Sequence, residues 1–263
     1  MGWLERILAT KREELARLAG FTLPAPPARR GVALDRAPGA PLHLIAEIKR
    51  RSPSAGALST VLGVAERAVA YERGGAAMIS VLCDRTYFGG DPAHLRAARA
   101  ATTRPLLCKD FIIHERQLAV ARAFGADAAL LIARCVAPRH LDELVRAARA
   151  HDLVPLVEVA TEAEVEAALA AHAPILGVNA RDLDTLEIDL DRARRVLRAI
   201  PRGVTRVHLS GVAGAADVRR IAATPADAAL IGEVLMRADD PEPLLRELVA
   251  AAGGGLAAGL ADD

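Results

Sequence analysis

The sequence predicts an α/β fold: a (β/α)8 TIM barrel with an extra N-terminal helix. Three observations predict it. From residue 42 onward the chain alternates eight times between a short apolar run and an amphipathic stretch. Most of the apolar runs are continuous rather than alternating, as in parallel strands buried on both faces. Nearly every run ends in a polar or charged residue, and the carboxyl ends of barrel strands are where such folds build their active sites.

Residues 3–18 open the chain. Leu4, Ile7, Leu8, Leu15 and Leu18 recur at helical spacing with charges between them. This helix is expected to cap or flank the barrel; forming part of a substrate lid is the alternative. The following FTLPAPPARRGVALDRAPGAP, rich in Pro, Gly and Arg, reads as a loop into the main domain. Strands are expected at 42–49, 76–83, 105–111, 128–133, 154–159, 175–179, 205–210 and 227–232. Helices are expected at 61–73, 91–101, 114–124, 138–150, 161–171, 189–199, 214–222 and 241–251. Asp91-Pro92, Pro138 and Thr161-Glu162-Ala163-Glu164 are start signals for three of them. The expected regions are 1–40 (helix and loop flanking the barrel), 41–252 (barrel) and 253–263 (a low-complexity flexible tail). An open doubly wound sheet is the alternative, but it uses fewer strands and does not close nearly every one with a polar group.

Bulk properties narrow the function classes. Hydrophobic residues make up 52% of the chain and aromatics 3%, so Leu, Val, Ile and Ala must fill a large core. A net charge of +1 gives no electrostatic case for a nucleic-acid or membrane partner. Cys83, Cys108 and Cys135 are too few and too scattered for a disulfide framework or a zinc site, and no histidine spacing suggests a metal. They read as small buried hydrophobes in a reducing compartment. The N-terminus is charged from Glu5 onward and lacks a signal-peptide core, and no apolar run reaches the roughly 18 residues that span a bilayer. A cytoplasmic protein is expected.

Candidate site residues sit at the strand ends. In PLLCKDFII, residues 105–113, Lys109 closes an apolar run, where a lysine is costly unless it has a partner or a task. Glu47 and Lys49 close the first run and share a face by strand alternation. The lysine can meet an anionic substrate while the glutamate holds it, or the two form only a structural ion pair. Glu158 closes the fifth run, so Lys109 and Glu158 can face each other across a ligand as acid and base, or form a plain salt bridge. Asn179 and Arg181 follow the sixth run, and Arg181 can hold a carboxylate or phosphate with its planar fork. Ser52-Pro53-Ser54 offers hydroxyls on a stiff turn. Ser210-Gly211 and Gly232-Glu233, after the seventh and eighth runs, match the recurrent phosphate site of these barrels.

With these segments quoted, the chain resembles the indole-3-glycerol phosphate synthase family. The carriers are KREE in the first helix, AEIKRRSPSAG, YERGGAAMISVLCD, YFGGD, LLCKDFII, GADAALLIA, LVEV, GVNARDLDTLEIDL, SGV and IGEVLMR, in order to about residue 250. The resemblance implies conversion of an anthranilate-linked deoxyribulose phosphate to indole glycerol phosphate, with no cofactor and no metal. It implies Lys109 as the general acid on the carbonyl oxygen and Glu158 as the acid–base residue of the dehydration. It implies Lys49 near the anthranilate carboxylate, with Glu47 as its partner. Asn179, Arg181, Ser52 and Ser210 would orient substrate, Phe88 and Phe111 would wall the anthranilate ring, and Gly211, Gly232 and Glu233 would hold phosphate. The implied partners are a phosphorylated anthranilate and enzymes of the tryptophan pathway.

The match departs from the family pattern where Leu209 stands in place of a mouth glutamate before Ser210-Gly211. This leaves Lys49 and Lys109 with less compensation, so a lowered lysine pKa is expected, or a compensating carboxylate from Glu233 or Glu187. Ala55 and Ala180 are milder departures. A paralogue acting on an altered substrate, or with weakened activity, is the alternative reading, and a non-catalytic phosphate-binding barrel is another.

Overall fold

The computed structural model describes residues 2–18, 20, 22–52 and 56–253. Eight parallel strands, β1 (His43–Ile48), β2 (Met78–Leu82), β3 (Leu106–Lys109), β4 (Ala128–Ile132), β5 (Val154–Val159), β6 (Ile175–Asn179), β7 (Thr205–Leu209) and β8 (Ala228–Ile231), form a closed barrel in chain order. The last strand pairs with the first, from His43 opposite Ala228 to Ala46 opposite Ile231. Closure leaves no sheet edge. The helices are α1 (Trp3–Leu18), α2 (Val64–Arg73), α3 (Pro92–Ala101), α4 (Glu115–Ala123), α5 (Pro138–Ala150), α6 (Glu162–Ala170), α7 (Leu190–Ala199), α8 (Ala215–Ala222), α9 (Glu233–Arg237) and α10 (Pro241–Gly253). The eight-unit barrel and its N-terminal helix are as the sequence predicts.

The differences lie at element ends and have local causes. Asp91 and Thr161 are caps rather than first helical residues: their side chains accept from the N–H groups of Ala93 and Glu164. The third strand stops at Lys109 rather than 111, because the Asp110 carboxylate accepts the Phe111 N–H (2.7 Å) and turns the chain. The five-residue α9 was not anticipated; it is too short to carry a periodic signal. Arg51-Ser52 pairs antiparallel with Gly56-Ala57 in a small ribbon after β1. The expected tail begins at Gly253, which ends α10, and the rest of it lies outside the described residues, as do Pro53, Ser54 and Ala55.

Two apolar clusters divide the core. The larger joins the outer faces of the strands to the helices, through Ile79, Val81, Val157, Leu176, Val196 and Leu248 among others. The smaller fills the barrel, with Ile45, Met78, Leu107, Leu130, Leu156, Ile175, Val207 and Leu230. The N-terminal segment belongs to this inner cluster at both ends of the barrel. Leu4 and Ile7 of α1 join it together with Phe111. The connecting loop runs past the opposite end: the Arg30 N–H donates to Asp127, just before β4, and the Arg36 N–H to Asp227, just before β8. Between them Leu34, 2% exposed, packs into the inner cluster and plugs the barrel floor.

Leu34→Ala should therefore cost about 2–5 kcal/mol, the range for emptying a buried leucine site that cannot collapse. Urea denaturation measures it, and a loss below about 1 kcal/mol would mean that the plug carries no core packing.

Candidate active site

The polar strand ends converge at the carboxyl-terminal mouth of the barrel. Glu47, Lys49, Lys109, Glu158, Asn179, Arg181, Leu209, Ser210, Gly211, Gly232 and Glu233 all line one cavity of about 420 Å³. Ile188, Val212, Leu230 and Arg237 line it as well, none of them singled out from sequence.

Glu47 is the centre of its charge system. Its carboxylate lies 2.8 Å from the Lys49 ammonium and 3.4 Å from that of Lys109. The carboxylate is 2% exposed, whereas the two lysines are 16% and 22% exposed and reach the cavity. Burial alone would push the Glu47 pKa up, but Lys109 and then Lys49 outweigh it and hold it down to about 2. Burial likewise opposes charge on Lys109, and Glu47 followed by Glu158 overcomes this, so its pKa is raised above 10.5.

This corrects the expectation drawn from Leu209. Lys109 is not left with a lowered pKa, and neither Glu233 nor Glu187 compensates it: Glu233 pairs with Arg237 (2.9 Å), and Glu187 is exposed. The compensating carboxylate is Glu47, two strands away in the barrel. β2 lies between, and it presents only the small Ser80 opposite Glu47. Of the two readings of Lys109 and Glu158, the structure fits the one in which they face each other across the cavity, not the plain salt bridge. No ion pair joins them; Glu158 acts on Lys109 through the field across the cavity.

Glu158 is held differently. Its Oε1 accepts from the Asn179 side-chain amide N–H (2.8 Å), while the Asn179 Oδ1 accepts the Arg181 backbone N–H (3.0 Å). The amide is thereby oriented from both sides. Arg192 braces this segment by donating to the carbonyls of Asn179 and Ala180. Burial raises the Glu158 pKa above 4.5, even against Lys109 and the Asn179 hydrogen bond. The site thus contains two carboxyl groups with pKa values pushed in opposite directions, the arrangement that separates acid–base roles.

The phosphate-type loops show two distinct local geometries. Ser210 and Gly211 both adopt the left-handed conformation (φ 68° and 77°), which costs a non-glycine residue roughly 1–2 kcal/mol. The His208 imidazole donates to the Ser210 carbonyl (2.9 Å) and secures that turn from the outer face, as strand alternation predicts. At Gly232 the constraint is space. A Cβ there would lie 2.5 Å from the Glu47 carboxylate oxygen and 3.3 Å from its Cβ. Glycine is required at 232 because Glu47 occupies the volume that a side chain would take.

Ser52, Phe88 and Phe111 lie outside this cavity's lining. The two rings pack together beside the mouth, 6.0 Å apart and tilted by 37°. The Arg51 N–H donates to the Phe88 carbonyl, which ties the ribbon containing buried Ser52 to the same cluster. Leu209 is 2% exposed and packs towards Gly177, where an added Cβ would meet it at 2.8 Å. With Leu230 it gives the cavity an apolar stretch of wall. In charge, Lys49, Lys109, Arg181 and Arg237 stand against Glu47, Glu158 and Glu233, an excess of one cation that favours an anionic ligand.

Gly232→Ala should drive the new methyl into Glu47 and cost about 1–3 kcal/mol, the usual penalty for overpacking. Urea denaturation against the unsubstituted chain reads it; a change within about 0.5 kcal/mol would mean that Glu47 does not fill this space.

Comparison with known proteins gives a family over most of the chain. The family model for indole-3-glycerol phosphate synthase matches residues 4–248. Indole-3-glycerol phosphate synthase 2 of Streptomyces coelicolor is 47% identical, covering 89% of this chain and 90% of its own length. The indole-3-glycerol phosphate synthase of an Exiguobacterium species is 43% identical, covering 94% and 96%. Among solved structures, 3-hexulose-6-phosphate synthase from Salmonella typhimurium aligns with a TM-score of 0.66 over 81% of this chain and 100% of its own; at 15% identity that likeness is one of fold alone. The chain belongs to the indole-3-glycerol phosphate synthase family.

Proposed function

We propose that this protein is an indole-3-glycerol phosphate synthase. It cyclises and decarboxylates 1-(2-carboxyphenylamino)-1-deoxyribulose 5-phosphate, giving indole-3-glycerol phosphate, carbon dioxide and water. The observation that carries the reading is the Lys49–Glu47–Lys109 ion cluster, facing Glu158 in one cavity.

The chemistry follows from the protonation states. Ring closure bonds the aromatic carbon that bears the carboxylate to the ketone carbon. The carbonyl oxygen gains negative charge and needs a proton, and Lys109, kept protonated by Glu47, supplies it. Lys49 meets the substrate carboxylate. As that group leaves as carbon dioxide, its bonding pair returns to the ring and restores aromaticity. Dehydration then breaks the bond to the new hydroxyl, which takes a proton and departs as water, while the adjacent ring carbon loses a proton. Glu158, whose buried carboxyl holds its proton more readily than an ordinary carboxylate, serves this step. Asn179 fixes the carboxyl geometry and Arg181 orients substrate. The phosphate lies towards Ser210 and Gly211, in their left-handed turn, and towards Gly232 and Glu233, which begin α9. Phe88 and Phe111 extend the ring-binding region beside the mouth, next to Ser52. No metal or cofactor takes part in this scheme. The proposed setting is the cytoplasm, among the enzymes of tryptophan biosynthesis. Among the described residues, no helix is long and apolar enough to cross a membrane.

One observation favours a second reading, a relative that accepts a modified anthranilate: the apolar wall of Leu209 and Leu230. Kinetics with ring-substituted substrates separate the two, since a modified-substrate enzyme turns over the unmodified compound more slowly.

Indole fluorescence on adding the substrate tests the main reading; absence of turnover at high enzyme concentration would overturn it. Lys109→Ala should lower kcat by roughly 10²-fold or more, as loss of a general acid does. A small effect would move the acid role to Lys49. The pH profile of kcat/KM should be broad. Its acid limb lies above 4.5, where the buried Glu158 becomes protonated as pH falls, and its alkaline limb lies above 10.5, where Lys109 loses its proton. Glu158→Gln should abolish the acid limb; its persistence would assign that limb elsewhere.

A further inference from the structure

We propose that Lys11, on the N-terminal helix, is a positioning residue for this reaction. It fastens the loop after β2 to the turn that carries Lys109. The inference rests on the reading of Lys109 as general acid.

Lys11 is 1% exposed and its ammonium is fully engaged, 2.8 Å from Asp84, 2.7 Å from Asp110 and 2.9 Å from Glu14. Burial opposes its charge, but Asp110 and Asp84 outweigh burial and raise its pKa, so the lysine is a permanent cation. Two of the three carboxylates organise the barrel mouth. Asp110 directly follows Lys109 in the chain, and its Oδ1 also accepts the Phe111 N–H. Asp84 follows β2, and its Oδ1 accepts the N–H groups of Tyr87 and Phe88 (2.7 and 3.1 Å). Lys11 therefore ties the end of the acid's strand to the loop bearing Phe88, and the two rings meet across that tie. The rest of α1 reinforces it: the Tyr87 hydroxyl lies 2.9 Å from that of Thr10, and Trp3 stacks edge-on against Tyr87 at 5.1 Å.

The energetics favour a geometric role over one in stability. A buried ion cluster recovers little beyond what its desolvation costs, so it is weak evidence of stabilisation. What it provides is a fixed arrangement. Asp84 is fully buried, and without the ammonium two carboxylates would face each other with no counter-charge and move apart. Lys109 would shift with Asp110. Displacement of a catalytic group by about 1 Å can cost on the order of 10²-fold in rate.

The test compares Lys11→Met, Asp110→Asn and the double variant by steady-state kinetics, below the melting temperature of each. Asp110→Asn keeps the shape of the turn and removes only the charge, so it covers the case in which Lys11→Met does not fold. Each single variant should lower kcat about tenfold or more and raise KM by a smaller factor, because proton delivery is displaced and the loop bearing Phe88 loosens with it. The double variant should be no worse than the poorer single one, because both break the same tie. Glu14→Gln, which removes the partly exposed third carboxylate, should stay within about twofold of the parent. Unchanged kcat in folded Lys11→Met, or in Asp110→Asn where Lys11→Met does not fold, would overturn the inference, as would single effects that multiply in the double variant. Either result leaves the reaction standing so long as the parent turns over and Lys109→Ala does not. If Lys109→Ala stays active, the failure belongs to the reading of the acid instead.

Discussion

The Glu47 carboxylate, shared between Lys49 and Lys109, is the interaction on which the rest of this site depends. A lysine at the end of a buried strand tends to lose its proton, and one that loses it cannot serve as an acid at neutral pH. Glu47 reverses that tendency for Lys109 and is itself kept ionised by both lysines. The cost appears elsewhere in the barrel. Gly232 carries no side chain because the carboxylate fills its place, and β2 offers only Ser80 opposite Glu47. Glu158 remains outside the cluster and is anchored by Asn179, so burial controls its proton affinity and it differs from Glu47 in the direction of its shift.

A second constraint holds this site in place from outside the barrel. The N-terminal segment embraces the barrel end to end, with Leu34 sealing the floor and α1 lying against the mouth. Lys11 carries that embrace into the turn beside Lys109. Leu209 has a simpler role than its sequence context suggested. It is an apolar filler beside Gly177, and Lys109 keeps its charge without a carboxylate at that position because Glu47 serves it.

Much of this was legible in the sequence because it depends on local pattern. Eight apolar runs, most of them continuous, dictate a buried parallel barrel, and Lys109, Glu158, Asn179 and Arg181 stood out as polar residues ending such runs. What was not legible depends on non-neighbouring strands. The Glu47–Lys109 contact joins β1 to β3 across β2, and no spacing rule reports it. Whether Lys109 and Glu158 form a salt bridge or face each other across a cavity was open for the same reason: strand order places both at the mouth but does not say which side chain reaches which. Lys11, in the KREE of the first helix, leaves a signal nonetheless. It interrupts the stripe Leu4, Ile7, Leu15, Leu18, where a lysine is buried and must find carboxylates. Phe88 and Phe111 came from family resemblance, and their contact reflects loop geometry that composition does not encode.

The most direct test of the central claim is the titration of Lys109 by NMR with isotope-labelled lysine, assigned through Lys109→Arg, in the parent and in Glu47→Gln. The account predicts a pKa above 10.5 in the parent, falling below that value in Glu47→Gln, where burial acts with its main counter-charge removed. An unchanged Lys109 pKa in Glu47→Gln would contradict it, because the proton on the acid would then be set by something other than Glu47.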